Sequence, residues 1–230
     1  MKALVFDAGP VISLTTNNLL WVLEPLKKLF DGEFFIPACV QKELVERPLR
    51  TKKFKFEALQ VRSVIEKGVL KPMMHPDLSA DANELYQLAN RIFRAHNTPI
   101  TILQMGEVEA LAGAIVLRAD AVVVDERVTR MLLEEPERLK KLLGFRLHTS
   151  IQLDRNVLRQ FSERTRHISC IRSTELAVVA CERGLLNQFV VQVPNARKTL
   201  LEGVLWGLKL NGCAISEEEI NTTLKLAQVP

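Results

Sequence analysis

Five carboxylates stand where acids can do chemistry rather than only solvate a surface. Asp7 follows the apolar run Ala3-Leu-Val-Phe6, and Asp125 follows Ala121-Val-Val-Val124. Runs of this kind predict buried parallel strands. In open α/β sheets the carboxyl ends of the strands form the edge where ligands bind. A single Asp after a strand is more often a turn or N-cap residue, but two of them on parallel strands reach the same edge. Glu43 lies on a short helix expected after a second strand, with Val40 and Leu44 packing inward. Glu107 and Glu109 open a helix that is apolar almost all round. Two residues apart, they point about 200° away from each other, so both cannot face one site; the bland alternative is that both only favour the positive helix N-terminus. Carboxylates gathered at one edge repel each other, and a hard cation with oxygen ligands, Mg²⁺ or Mn²⁺, makes the cluster tolerable. Such a site can activate water and stabilise charge on a phosphodiester without cysteine or histidine.

The elements that must position these acids alternate between short apolar strands and helices. Strands are expected at 3–6, 33–36, 69–73, 121–124 and 145–149. Gly9-Pro10 is expected to break the chain after the first strand, and Pro37 to open the helix that carries Glu43. Residues 55–67 and 79–95 have helical patterning, and 107–117 reads as a buried helix. The alternation predicts a three-layer α/β/α fold with a mostly parallel central sheet. From about 151 the pattern turns mainly helical, with segments at 152–162, 173–183, 197–210 and 217–227. The expected organisation is therefore a domain over 1–150 and a helical C-terminal extension over 151–230.

Composition excludes several classes. The 230 residues are 47% hydrophobic and 25% charged, as in ordinary globular chains, so disorder and low complexity are ruled out. No apolar run reaches the ~20 residues of a membrane span, and the N-terminal residues do not read as a secretory signal. The four cysteines, Cys39, Cys170, Cys181 and Cys213, form no CxxC, which fits a reduced cytoplasmic protein. The four histidines show neither HExxH nor HxH spacing, and GxGxxG, Walker-type and GxSxG motifs are missing. A haloacid-dehalogenase-type site wants a second Asp at position 9, which is glycine.

The ordered acids and their surroundings carry a family resemblance. Val5-Phe-Asp-Ala-Gly-Pro-Val-Ile-Ser-Leu14, Phe35-Ile-Pro-Ala-Cys-Val-Gln-Lys-Glu-Leu44, Gly106-Glu-Val-Glu-Ala-Leu-Ala112 and Ala119-Asp-Ala-Val-Val-Val-Asp-Glu-Arg127 resemble the PIN-domain nucleases over about residues 1–149. The Gly-Glu-x-Glu-Ala form resembles the PIN-like branch related to toxin ribonucleases. The resemblance implies a Mg²⁺- or Mn²⁺-dependent endoribonuclease whose ligands map onto Asp7, Glu43, Glu107 and Asp125. Glu107 is preferred over Glu109 for its spacing to Asp125, and Glu126 is a second acid beside Asp125. An antitoxin-like protein is the partner it implies. Two departures stand out: the family usually has Ser, Thr or Asn after the first Asp, where this chain has Ala8-Gly9, and often a hydroxyl two residues before the fourth acid, where this chain has Val123. They keep an alternative open, a catalytically weakened PIN-like module that binds RNA or protein.

The net charge of +4 is uninformative as a total. Locally, Arg47, Arg50, Lys52, Lys53 and Lys55 follow directly on the Glu43 helix. A basic rim around an acidic centre suits RNA held by its phosphates; a solvated helix face is the plain alternative. With one tyrosine and two tryptophans, no stacking platform for bases is evident. Gly203-x-x-x-Gly207 suits close helix packing, either within the chain or in a homodimer.

Overall fold

In the first strand Leu4 and Phe6 point to one side and Ala3 and Val5 to the other, and all four are buried. That alternation sets the layering. The computed structural model describes residues 2–76 and 78–227; Met1, Asp77 and residues 228–230 lie outside the described residues. In chain order, β1 (Ala3–Phe6) leads into α1 (Ala8–Thr16), then α2 (Leu23–Phe30) and β2 (Glu33–Ile36). Next, α3 (Ala38–Gln41), a π turn (Lys42–Glu46) and α4 (Arg47–Leu49) run on without a break. They are followed by α5 (Lys55–Glu66), β3 (Leu70–Pro72), α6 (Leu78–Ala89), β4 (Phe93–Ala95) and β5 (Thr98–Pro99). The buried α7 (Met105–Leu117) precedes β6 (Ala121–Val123), α8 (Arg127–Glu134) and α9 (Pro136–Leu147). Then come β7 (Ile151–Leu153), α10 (Arg155–Thr165), β8 (Ser169–Ile171), α11 (Ser173–Glu182), α12 (Ala196–Leu210) and α13 (Glu217–Leu226).

The main sheet has the strand order β3-β2-β1-β6-β8, every pair parallel. Leu4, Phe6, Ala121 and Val123 pack on one face with α1, α2, α5, α11 and α12. Ala3, Val5, Val122 and Val124 pack on the other with α6 to α10. The fold is thus the three-layer α/β/α arrangement with a parallel sheet. A small antiparallel sheet, β5-β4-β7, sits to the side.

Several local expectations are corrected. The chain does not break at Gly9-Pro10: α1 starts one residue after Asp7, and Pro10 falls in its first turn, where a missing N–H is harmless. The apolar residues at 145–149 form no strand. Helix α9 continues through Gly144 to Leu147 on the packing of Leu139 and Leu143, leaving Phe145 exposed, and the strand begins at Ile151. The helix expected over 79–95 ends at Ala89, and Phe93–Ala95 is strand.

The residues after 150 are mostly helical but are woven into both layers. β8 forms an edge of the main sheet, pairing Ser169 to Ile171 with Ala121 to Val123. Leu201, Leu205 and Leu208 of α12 are buried in the same cluster as Leu4 and Phe6. Gly207 lies against the Asn17 side chain of the same chain, whereas a Cβ on Gly203 would meet nothing within 4 Å. The three α12 leucines alone are worth roughly 2 kcal/mol each in burial, against a typical total stability of about 5–15 kcal/mol. The chain of 230 residues is therefore expected to unfold in urea in one cooperative transition, and a chain cut after residue 150 to show neither that transition nor native near-ultraviolet circular dichroism.

Candidate active site

The parallel sheet carries chain in opposite directions from β1: β2 and β3 lie on one side, β6 and β8 on the other. At such a switch point the helices leaving adjacent strands part and open a crevice at the carboxyl edge. Asp7 leaves β1 and Asp125 follows β6, so both stand at that crevice. It forms a pocket of about 500 Å³ lined by Asp7, Gly9, Ile12, Glu43, Gln104, Glu107, Asp125 and Glu126, among others. The structure thus brings Asp7, Glu43, Glu107 and Asp125 around one space.

Each acid is held differently. Asp7 caps α1, its carboxylate accepting from the Gly9 N–H at 3.3 Å, and it is only 8% exposed. Burial pushes its pKa up to about 6; the Ala8 and Gly9 amides oppose the rise, and the charges of Glu107 and Glu43 add to it. Gly9 keeps the crevice open: a Cβ there would lie 3.6 Å from Asp7 Oδ2 and 3.5 Å from Asp125 Cβ, so any longer side chain would project between the two acids. Glu43 is exposed on the π turn, a distortion frequent at functional sites. Its neighbours Val40 and Leu44 are buried, and Glu43 is left at the pocket wall.

Glu107 sits in the first turn of α7. Its Oε2 accepts from the Gln104 N–H at 2.7 Å, and its Oε1 accepts from the Thr129 hydroxyl. Burial raises its pKa and these two bonds oppose the rise. Buried Asn90 fixes the approach to this helix, accepting from Ile102 and Leu103 N–H at 2.7 and 2.9 Å and donating to the Leu103 carbonyl at 3.1 Å. Glu109 points elsewhere, toward the Cys39 thiol, which burial and that carboxylate keep protonated. Glu126 caps α8 through the Val128 N–H and lies at the pocket rim.

Asp125 is 3% exposed and doubly held. Its Oδ1 accepts from the Ser173 N–H at 2.8 Å and its Oδ2 from the Ser173 hydroxyl at 2.7 Å. Ala214 N–H also donates to the Asp125 carbonyl at 3.0 Å. Behind Ser173, Arg172 is buried and binds Glu175, Glu219 and the Ala214 carbonyl. Burial works against the guanidinium's charge, but these two carboxylates outweigh it. Ser173 thus gives Asp125 the hydroxyl that Val123 does not, and Thr129 gives Glu107 one. The sequence reading missed both. The available signals were the short Ile168-Ser-Cys-Ile171 run and the Ser173-Thr-Glu175 helix start that follows it.

A family model described as a PIN domain matches residues 3–137, which include Asp7, Glu43, Glu107 and Asp125. The chain belongs to the PIN-domain family. PIN domains are generally nucleases. A search of curated proteins and a search of solved structures return no match. Ser173 and Ala214, which fix Asp125, lie beyond the residues matched to the PIN domain.

Two outcomes test this geometry. Because ionised Asp7 is disfavoured in the fold, Asp7→Asn is expected to stabilise the metal-free protein at pH 7.5 by roughly 1–3 kcal/mol. Asparagine still caps a helix. The folded state binds the Asp7 proton more tightly than the unfolded chain, so this burden builds between about pH 4 and pH 6. The gain should therefore shrink as urea denaturation is repeated toward pH 4. Ser173→Ala leaves buried Asp125 Oδ2 without its donor and should cost about 1–3 kcal/mol in the same assay.

Proposed function

We propose that this PIN-domain protein is a divalent-cation-dependent endoribonuclease cutting RNA at the Asp7–Asp125 crevice. The observation that carries the reading is the convergence of four carboxylates on one pocket at the sheet's switch point. The donor set is all oxygen, and Asp7 feels the uncompensated charge of Glu107 and Glu43. Both features suit Mg²⁺ or Mn²⁺ in chemistry. Among the described residues no three His, Cys, Asp or Glu side chains form a ready-made metal shell. Mg²⁺ does not require such a shell, because it keeps several waters and takes one or two carboxylates together with substrate phosphate.

Asp7 and Asp125 would hold the cation, with Glu107 and Glu43 facing the same space. When bound, the cation supplies charge neutralisation and lowers the pKa of a water that attacks phosphorus. The chain's own part is orientation. Ser173 fixes both oxygens of Asp125, while Thr129 and the Gln104 N–H fix those of Glu107. Such supporting bonds aim a ligand and tune its basicity. The exposed Arg47, Arg50, Lys52, Lys53 and Lys55 supply a cationic approach for the RNA backbone next to Glu43. Further along the chain, Arg62 pairs with Glu66 and Lys71 with Glu33, which leaves less of their charge for phosphate.

With Mn²⁺ and mixed RNA substrates, wild type should cleave internally and lose activity in EDTA. Asp125→Asn should reduce cleavage by two orders of magnitude or more, about 3 kcal/mol of lost transition-state stabilisation. Equal cleavage by wild type and Asp125→Asn would sink the reading. RNA binding without cation-dependent cleavage would favour the weakened binding module, for which Ala8-Gly9 in place of a polar residue is the supporting observation.

A further inference from the structure

We propose that a second cavity beside Glu43 is a nucleobase subsite, taking one unpaired base of a single-stranded RNA whose backbone crosses the acidic pocket. The cavity measures about 250 Å³ and includes Ile12, Leu44, Phe54, Glu57 and Val61 in its walls. Ile12 and Glu43 line both this cavity and the acidic pocket, so the two are neighbours across these residues. The inference rests on the nuclease reading for the position of the RNA backbone. Its own support comes from the cavity.

Phe54 is the telling residue. Its backbone lies in the left-handed region at φ 63°, ψ 20°, rare for a bulky side chain and costly by on the order of 1 kcal/mol or more. The strained backbone does not serve to bury the ring, which is 49% exposed. Instead, Phe54 lines the cavity, and Lys53 Nζ sits over one face of its ring, 4.7 Å from the centroid. A ring with a cation on one face keeps its other face for a base, and an aromatic next to a lysine is the combination that holds single-stranded nucleic acid, the base on the ring and the phosphate on the lysine. The size admits one flat ring system; drug-sized ligands occupy about 300–1,000 Å³. Glu57, half-buried in the wall, offers carboxyl oxygens that can accept from a base's exocyclic amino group. A base in a duplex stays stacked and cannot enter, so the subsite selects single strands.

The test uses the full chain in EDTA, so that binding is read without cleavage. Short single-stranded oligoribonucleotides carrying one 2-aminopurine are titrated, and the same oligonucleotides with an abasic residue at that position serve as competitors. The expected result is quenching of the 2-aminopurine on binding, with the abasic strand about fivefold or more weaker. Phe54→Ala should lose the same factor on the intact strand and nothing on the abasic one. Lys53→Ala should weaken both strands alike. Phe54→Gly suits the positive φ and should keep or raise the unfolding midpoint while losing the base-dependent affinity, which separates a binding defect from a folding defect. Equal affinity for intact and abasic strands, or unchanged binding by both Phe54 variants, overturns the assignment and leaves the cavity as a protein contact. No binding of any oligonucleotide in EDTA overturns the subsite, while the nuclease reading stands or falls on the Mn²⁺-dependent cleavage itself. Base-dependent binding without Mn²⁺-dependent cleavage keeps the subsite and removes only the cleavage.

Discussion

The parallel pairing of β1 with β6 governs the molecule. Its register sets Leu4 against Ala121, Val5 against Val122 and Phe6 against Val123, with every one of these side chains buried. A slip of one residue would turn each strand's apolar set to the wrong layer, so the two hydrophobic clusters lock the register from both sides. Asp7 and Asp125 are carried along by that lock to the same edge. The site is therefore a by-product of core packing: acids that repel are held together because the strands beneath them cannot move apart without exposing Phe6, Val122 and Val123.

The cost of that crowding falls on Asp7, whose pKa is raised by burial and by its acidic neighbours. The other buried carboxylate, Asp125, is stabilised by donors instead. Two acids at one edge thus have different surroundings, Asp7 with one weak donor to its carboxylate and Asp125 with a donor on each oxygen. A cation entering the crevice has most to offer Asp7, while Asp125 is aimed in advance.

The main architecture was legible because its strands are short unbroken apolar runs, which only a sheet covered on both faces requires. Asp7 and Asp125 stood out because each follows such a run, and Glu43 and Glu107 joined them through the order of acids that resembles the PIN-domain nucleases; all four line one pocket. Ser173 was not: it acts across 48 residues, after a three-residue edge strand with an exposed Ser169 and a half-buried Cys170 that carry little pattern. Phe145 and Leu147 misled for the opposite reason, being apolar residues left exposed at a helix end. Phe54 escaped notice because scarce Tyr and Trp suggested no aromatic surface, and its exposure depends on a backbone angle that residue type does not announce.

The reach of Asp125 forward along the chain also orders events in time. Synthesis runs from the N-terminus, and domains begin to organise as they emerge. All four crevice acids are made before Ser173, and Ala214 comes later still. Until those residues arrive, Asp125 lacks the three bonds that hold its carboxylate and carbonyl. The protein therefore completes its acidic centre only after residues well beyond the four acids have been made, and a growing chain carries the acids without their final aim.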